Sequence, residues 1–253
     1  MGFKRTLATL VIAGAASLGL AEKVKADNWT VLDNPWESGT AAYNISNNKV
    51  VGCYGSGLAR SFSYDLSNPN PSPAGWNKIE LEGIPTDTLI QINSIDNNRT
   101  VGRYSDSSGT HGFIYENAEW TRVDRPEASA TQLSDADGPN FVGMNLFQDN
   151  NWHGFAYNGI DWNSIDKPGA NSTQPYSISG NKIVGVYNSD FSFLYDGTTW
   201  TDINVPGATN TLACAIDGNN IGGFYYSSDG KMHGFFHQDG TNQWKTIDAP
   251  GAG

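Results

Sequence analysis

Charge is scarce in this chain. Asp, Glu, Lys and Arg together make up 16% of its 253 residues, against roughly 25% in an average soluble domain. Cations are the scarcer sign, with 15 Lys+Arg facing 26 Asp+Glu and a formal charge of −11. That balance argues against a nucleic-acid backbone as partner. Glu and Ala, the good helix formers, are thin, and no apolar stripe of helical period runs longer than one turn, so a helical bundle is not expected. Beyond the first twenty residues no stretch is apolar enough to span a membrane. What is present points the other way. Glycine numbers 29, aromatics reach 12% with eight tryptophans, and Asn, Ser and Thr are abundant. Such aromatic content argues against disorder and suits many short strands joined by tight turns.

Residues 1–26 differ from the remainder. Lys4 and Arg5 form a basic start, Thr6 to Leu20 is apolar, and small residues precede Ala21 and Ala26. This is the layout of a secretory signal peptide, and the apolar run is short for a bilayer-spanning helix. Cleavage near Ala21 or Ala26 and export to a secreted, periplasmic or cell-surface location are expected. Loss of Lys4, Arg5, Lys23, Lys25 and Glu22 would move the formal charge from −11 to −14. The remaining residues, 27–253, are expected to form one domain.

That domain is built on a repeat. Tryptophans 29, 76, 120, 162, 200 and 244 are spaced by 47, 44, 42, 38 and 44 residues. The stretch from Trp200 reads W-T-D-I-N-V-P-G-A-T-N-T, and later H-G-F-F-H-Q-D-G. The one from Trp162 reads W-N-S-I-D-K-P-G-A-N-S-T, then S-I-S-G-N-K-I-V-G-V-Y and F-S-F-L-Y-D-G. Each unit resolves into four short strands, A to D. In one unit these are Tyr176–Ser179, Lys182–Tyr187, Phe191–Tyr195 and Trp200–Val205, with turn residues between them. Four strands in about 45 residues is the size of a propeller blade. The expected fold is therefore all-β: a single five-bladed β-propeller. Six D-like segments serve five blades, so either Trp29–Pro35 or Trp244–Pro250 is expected to close the ring by pairing with strands from the opposite end. The glycines of V-G-x-Y and H-G-F read as points of close approach between blades, and the tryptophans as structural.

The unit G-N-x-I-V-G-x-Y, H-G-F-x-Y-D-G-x-x-W-T-x-I-D-x-P-G-A-x-x-T resembles the HAF-type extracellular repeats of exported bacterial proteins. The resemblance covers nearly all of residues 27–253 and implies export and an all-β array, with no agreed activity to carry over. The first unit departs from it at Ser61-Phe62 and in an inserted stretch from Ser67 to Pro73. In architecture alone, five blades of this size look like the tachylectin-type lectins.

Propeller geometry puts the D-to-A and B-to-C connections on one face, here termed the top. Tyr54, Tyr104, Tyr187 and Tyr225 end B strands there, and His111, His153 and His233 open C strands. Aromatic faces beside polar groups suit a sugar ring, and several copies would add avidity. These seven residues are the candidate ligand contacts; the alternative is that each His and Tyr merely shapes its strand. No catalytic set is complete. Ser56 lies in a loop rather than a nucleophile elbow. Asp135 breaks the repeat at a strand A position occupied by Asn44, Ser94, Ser177 and Ala215, and is the weak catalytic candidate. Asp96, Asp137 and Asp217 read as turn residues. The histidines lie on different blades, and His233 and His237 are too far apart to share a metal. No cofactor is expected; calcium at the acidic loops of Asp106 and Asp229 is the nearest to one. Cys53 and Cys214 fall in blades that ring closure would make neighbours, which permits a disulfide in an exported chain. Asn28, Asn44, Asn98 and Asn171 open glycosylation sequons.

The leading expectation is a monomeric, secreted, non-catalytic binding propeller that recognises glycans or another extracellular polymer through repeated rim sites. A structural or adhesive surface protein with protein partners is the second. A polysaccharide hydrolase or lyase with acids at the central channel is the third.

Overall fold

A computed structural model of the protein describes residues 32, 34–37, 39–55, 60–67, 75–85 and 88–248. Twenty strands and no α-helix occur among them. They fall in chain order into five four-stranded antiparallel units. The first holds β1 (Thr40–Ser46), β2 (Lys49–Tyr54), β3 (Arg60–Asp65) and β4 (Trp76–Ile79). The second holds β5 (Leu89–Asp96), β6 (Arg99–Asp106), β7 (Gly109–Glu116) and β8 (Glu119–Val123). The third holds β9 (Ala130–Asp137), β10 (Asn140–Leu146), β11 (Trp152–Tyr157) and β12 (Trp162–Ser164). The fourth holds β13 (Thr173–Ser179), β14 (Lys182–Tyr187), β15 (Phe191–Tyr195) and β16 (Trp200–Ile203). The fifth holds β17 (Asn210–Asp217), β18 (Asn220–Tyr226), β19 (Met232–Gln238) and β20 (Trp244–Ile247). A single parallel bridge, Thr110 to Ala130, joins the second unit to the third.

Alternation of side chains builds the core between units. Val51 of the first unit packs against Ile92, Tyr104 and Phe113 of the second. Val101 meets Leu133 and Phe155, Val142 meets Ile178 and Phe193, and Val184 meets Ile216 and Phe235. The Phe of H-G-F or its equivalent is thus the deepest residue at each boundary. Burying it supplies about 1.5–3 kcal/mol apiece. In four units the Trp of the outer strand lies on that Phe and on an aromatic neighbour two residues later, whereas Trp120 meets Tyr104 at 5.6 Å. Trp162, for example, is 4.8 Å from Phe155 and stacks on Tyr157 at 4.3 Å. The structural reading of β4, β8, β12, β16 and β20 tryptophans holds.

The ends of the array are unlike the middle. The first unit packs its outer face on Leu32 and Trp36. Among the described residues no hydrophobic cluster joins the fifth unit to the first. Of the two candidate closing segments, Trp244–Ile247 pairs β19 and completes its own unit. Most of Trp29–Pro35 lies outside the described residues, as do Asn28 and Ser56. Cys53 and Cys214 are free thiols, so the disulfide that the sequence left open is not formed here. Cys53 sits buried beside Ser61, its Sγ 3.6 Å from that hydroxyl, while Cys214 donates to the Leu212 carbonyl in its own strand.

A second correction concerns the V-G-x-Y glycines. Every innermost strand carries one extra residue: Tyr43, Asn93, Ser134, Tyr176 and Cys214 are each skipped in the ladder. Opposite each bulge stands a glycine. A Cβ on Gly52, Gly102, Gly143, Gly185 or Gly223 would lie 1.9–2.2 Å from a carbonyl oxygen of the paired innermost strand. The close approach is therefore within a unit and follows from the bulge. The H-G-F glycine Gly154 also meets the next unit: a Cβ there would be 2.3 Å from the Ile165 carbonyl of its own unit and 2.9 Å from the Pro175 ring of the next. Gly185→Ala should destabilise the protein by about 2–3 kcal/mol in urea unfolding, because a backbone carbonyl cannot yield. A loss below half of that would mean the strand relaxes without losing its register.

Candidate functional site

The top face is organised by a repeated clasp. In the second, third and fifth units the histidine opening strand C meets the aspartate that ends strand D. His111 Nδ1 is 3.0 Å from Asp124 Oδ2, His153 Nδ1 is 3.1 Å from Asp166 Oδ2, and His233 Nδ1 is 2.8 Å from Asp248 Oδ2. The next backbone N–H donates to the same carboxylate, Gly154 to Asp166 at 3.0 Å and Gly234 to Asp248 at 3.2 Å. In two units the other ring nitrogen faces the B-to-C loop: His153 Nε2 lies 2.9 Å from Asp149 and His111 Nε2 3.3 Å from Asp106. The imidazole so ties the loop to the D-to-A linker. A further tie holds four linkers. The N–H of Asn34, Arg125, Lys167 or Val205, each next to a proline, donates to the hydroxyl of Thr40, Thr131, Thr173 or Thr211, always at 3.0 Å.

This clasp was not read from the sequence, though its signal was there. His and Asp occur together in three units and are absent together in two, which carry Arg60 with Glu80 and Phe191 with Asn204.

The seven rim candidates are not equivalent. Tyr54 and Tyr104 are 2% exposed and His111 is 5% exposed. Tyr54 packs 5.1 Å from the Trp36 ring, and Tyr104 is enclosed by His111 at 5.2 Å and Trp120 at 5.6 Å. Tyr187, Tyr225, His153 and His233 remain partly open. Tyr187 stacks on Phe191 at 5.3 Å, donates to Asp202 at 3.2 Å and has Lys167 Nζ 4.8 Å above its ring. Phe191 is 50% exposed beside it. Tyr225 shares a hydrogen bond with Thr246 at 3.0 Å. Much of each tyrosine is thus covered by its own linker or strand D. Near-identical open platforms do not recur around the rim.

Asp135 does not face open space. It is 6% exposed and accepts four hydrogen bonds: from the Ser94 hydroxyl, Ser177 Oγ at 2.6 Å, Ile178 N and Ala136 N, both at 2.9 Å. Burial pushes its carboxyl above the ordinary range, against the pull of those donors. The bulge at Ser134 aims it between the second, third and fourth units rather than into a channel. Asp96 and Asp137 do more than shape their turns, since each accepts a backbone N–H from the next unit, Gly138 at 2.9 Å and Gly180 at 2.6 Å. His237 is buried and stacked on Trp244 at 4.0 Å. Asp106 is held down to about 2, first by the Ser108 hydroxyl and N–H, then by His111. Asp229 accepts from Ser227 and Lys231. Among the described residues no group of three or more His, Cys, Asp and Glu is placed to hold a metal ion.

One cleft opens on this face. It holds about 660 Å³ between the first and second units, lined by Tyr54, Arg60, Lys78, Glu80, Glu82 and Thr88 among others. A second, of about 480 Å³, lies on the opposite face beside Arg99 and Phe141.

Comparison with solved structures now bears on this geometry. An Aleuria aurantia lectin mutant solved with alpha-methyl-L-fucoside superposes with a TM-score of 0.51 at 13% identity, over 83% of this chain and 76% of that one. The beta-propeller domain of the Trilobed protease from Pyrococcus furiosus, described as having an open velcro topology, gives 0.50 at 11% identity, over 84% and 82%. The fold is a β-propeller. No family model and no curated protein sequence matches the chain, so the likeness to HAF-type repeats remains one of motif. No helix among the described residues is long and apolar enough to cross a membrane.

Two outcomes follow from this geometry. Asp135→Ala strands four buried donors and should cost about 3–5 kcal/mol in urea unfolding; a loss under 1 kcal/mol would show the three units do not depend on it. His153 is pulled down by burial, but Asp149 and Asp166 on its two nitrogens more than offset this and raise its pKa. Its charged form stabilises the fold fully below the ordinary histidine value of about 6.5 and ceases to as pH climbs past the raised value. Asp149 is lowered, first by that same histidine, so its share is lost only in acid. His153→Ala should therefore cost more at pH 5, about 0.5–1 kcal/mol, than at pH 8. Equal losses at both pH values would count against the charged clasp.

Proposed function

We propose that the protein is an exported, non-catalytic binding propeller that recognises carbohydrate on its top face. Export rests on the basic, apolar and small-residue layout of residues 1–26, with cleavage near Ala21 or Ala26. The observation that carries the binding reading is the rim itself. There, half-open aromatic rings stand beside hydrogen-bonding side chains, as at Tyr187, Phe191, Asp202 and Lys167. A sugar offers an apolar C–H face to such a ring and hydroxyls to its neighbours. The similar Aleuria aurantia fold was solved with a fucoside, which supports testing sugars first. Of the seven rim candidates, Tyr187, Tyr225, His153 and His233 are available for direct contact, while Tyr54, Tyr104 and His111 shape the rim from beneath.

An adhesive role toward protein partners is the second reading. It is favoured by the exposed apolar side chains Tyr226 and Met232 at the fifth unit.

A glycan array with calorimetry on residues 27–253 should reveal binding, and Tyr187→Ala and His153→Ala should each weaken it a few-fold. An array with no bound glycan would sink the carbohydrate reading and leave the adhesive one.

A further inference from the structure

The boundary between the first and second units departs in three ways from the pattern of the chain; the longer linker and the lost threonine set it apart from the three that follow, while the missing His–Asp clasp it shares with the fourth unit, which carries Phe191 and Asn204. First, its linker is longer. Eight positions separate Val123 from Thr131, Ile165 from Thr173 and Ile203 from Thr211, whereas eleven separate Ile79 from Ile90. Second, the threonine that ties down the other linkers is replaced by Ile90, and the equivalent linker N–H, that of Ile84, donates to the Leu81 carbonyl at 3.1 Å within the linker itself. Third, the His–Asp clasp is replaced by Arg60 and Glu80, which do not bond to one another; Arg60 pairs with Glu37 instead. A longer linker, not held by a strand threonine, and an unclasped pair border the cleft found there.

We propose that this cleft is the principal binding site and that it takes a neutral, hydroxyl-rich sugar ring. The inference rests on the carbohydrate reading above and gives it a place and a chemistry. Arg60 and Lys78 stand on the wall made by the first unit, and Glu80 and Glu82 on the linker, around the edge of Tyr54. The two cations and two carboxylates of this lining sum to no net formal charge. An anionic sugar would meet the linker carboxylates, and an amino sugar would meet Arg60 and Lys78. A neutral ring satisfies both walls, since each hydroxyl donates to a carboxylate and accepts from a cation. Trp36 backs the lining residue Tyr54 from the outer face of the first unit, 5.1 Å from its ring and 6.3 Å from Trp76, with Lys78 Nζ 5.0 Å over it.

The test is calorimetry on residues 27–253 with oligosaccharides ending in neutral hexose or deoxyhexose, sialic acid, glucuronate or glucosamine. Variants Arg60→Ala and Glu80→Gln are compared with Lys245→Ala, which lies on the fifth unit away from the cleft. Thermal melts show that each variant is folded. Neutral sugars bound best, with at least tenfold weakening in both cleft variants and none in Lys245→Ala, supports the proposal. Sugar binding that the cleft variants leave unchanged, or a preference for a charged sugar, overturns it while the carbohydrate reading stands. Failure of every sugar to bind overturns both.

Discussion

A single extra residue in each innermost strand governs this molecule. A bulge makes two residues oppose one and turns consecutive side chains toward the same side. In the second unit that sends both Asn93 and Ser94 toward the third, where they meet the Leu133 carbonyl and Asp135. In the third it aims Asp135 onto Ser177 and Ile178 of the fourth, and Ser177 Oγ in turn accepts from Ile216 N of the fifth. A polar thread so runs from unit to unit beside the hydrophobic one. The price is a carbonyl pressed against the neighbouring strand, which only glycine can face.

The hydrophobic contacts set which faces meet, and the polar ones fix how. Val51, Val101, Val142 and Val184 are interchangeable knobs, each meeting a buried Phe of the next unit. Where H-G-F becomes S-F, the serine replaces close approach with a bridge. Ser61 joins the Ile90 carbonyl and Ile92 N, and Ser192 does the same for Thr211 and Ala213. Two solutions to one boundary therefore coexist in the chain. The first and fourth units share the serine bridge and the missing clasp, and the longer linker is what sets the first boundary apart.

The middle strands were legible because their side chains alternate and their turns carry Gly and Asn. Lys182–Tyr187 and Phe191–Tyr195 have the bounds that the residues suggest. The innermost strands were not, since the bulge residues Tyr43, Asn93, Ser134, Tyr176 and Cys214 span four residue types. A bulge residue is selected by position and not by chemistry, so period counting passes over it. Asp135 was misplaced for the same reason: one extra residue moves a side chain from one neighbour to another. The rim tyrosines were recognised as a set, yet their exposure depends on what lies over each: Trp36 on Tyr54, Trp120 on Tyr104, and Lys167 of the preceding linker on Tyr187. None of these covers is marked in the residues next to the tyrosine.

The strand class, the repeat and the tryptophan of each outer strand are legible in the residues alone. Those follow from periodicity, turn chemistry and hydrophobicity, all of which act within a few residues. That the histidines clasp aspartates, that the cysteines stay apart as thiols, that Asp135 is enclosed and that a cleft opens at the first boundary emerges only from the folded chain. Each of these depends on which groups meet across strands and units, and on whether three added linker residues find a hydroxyl to hold them.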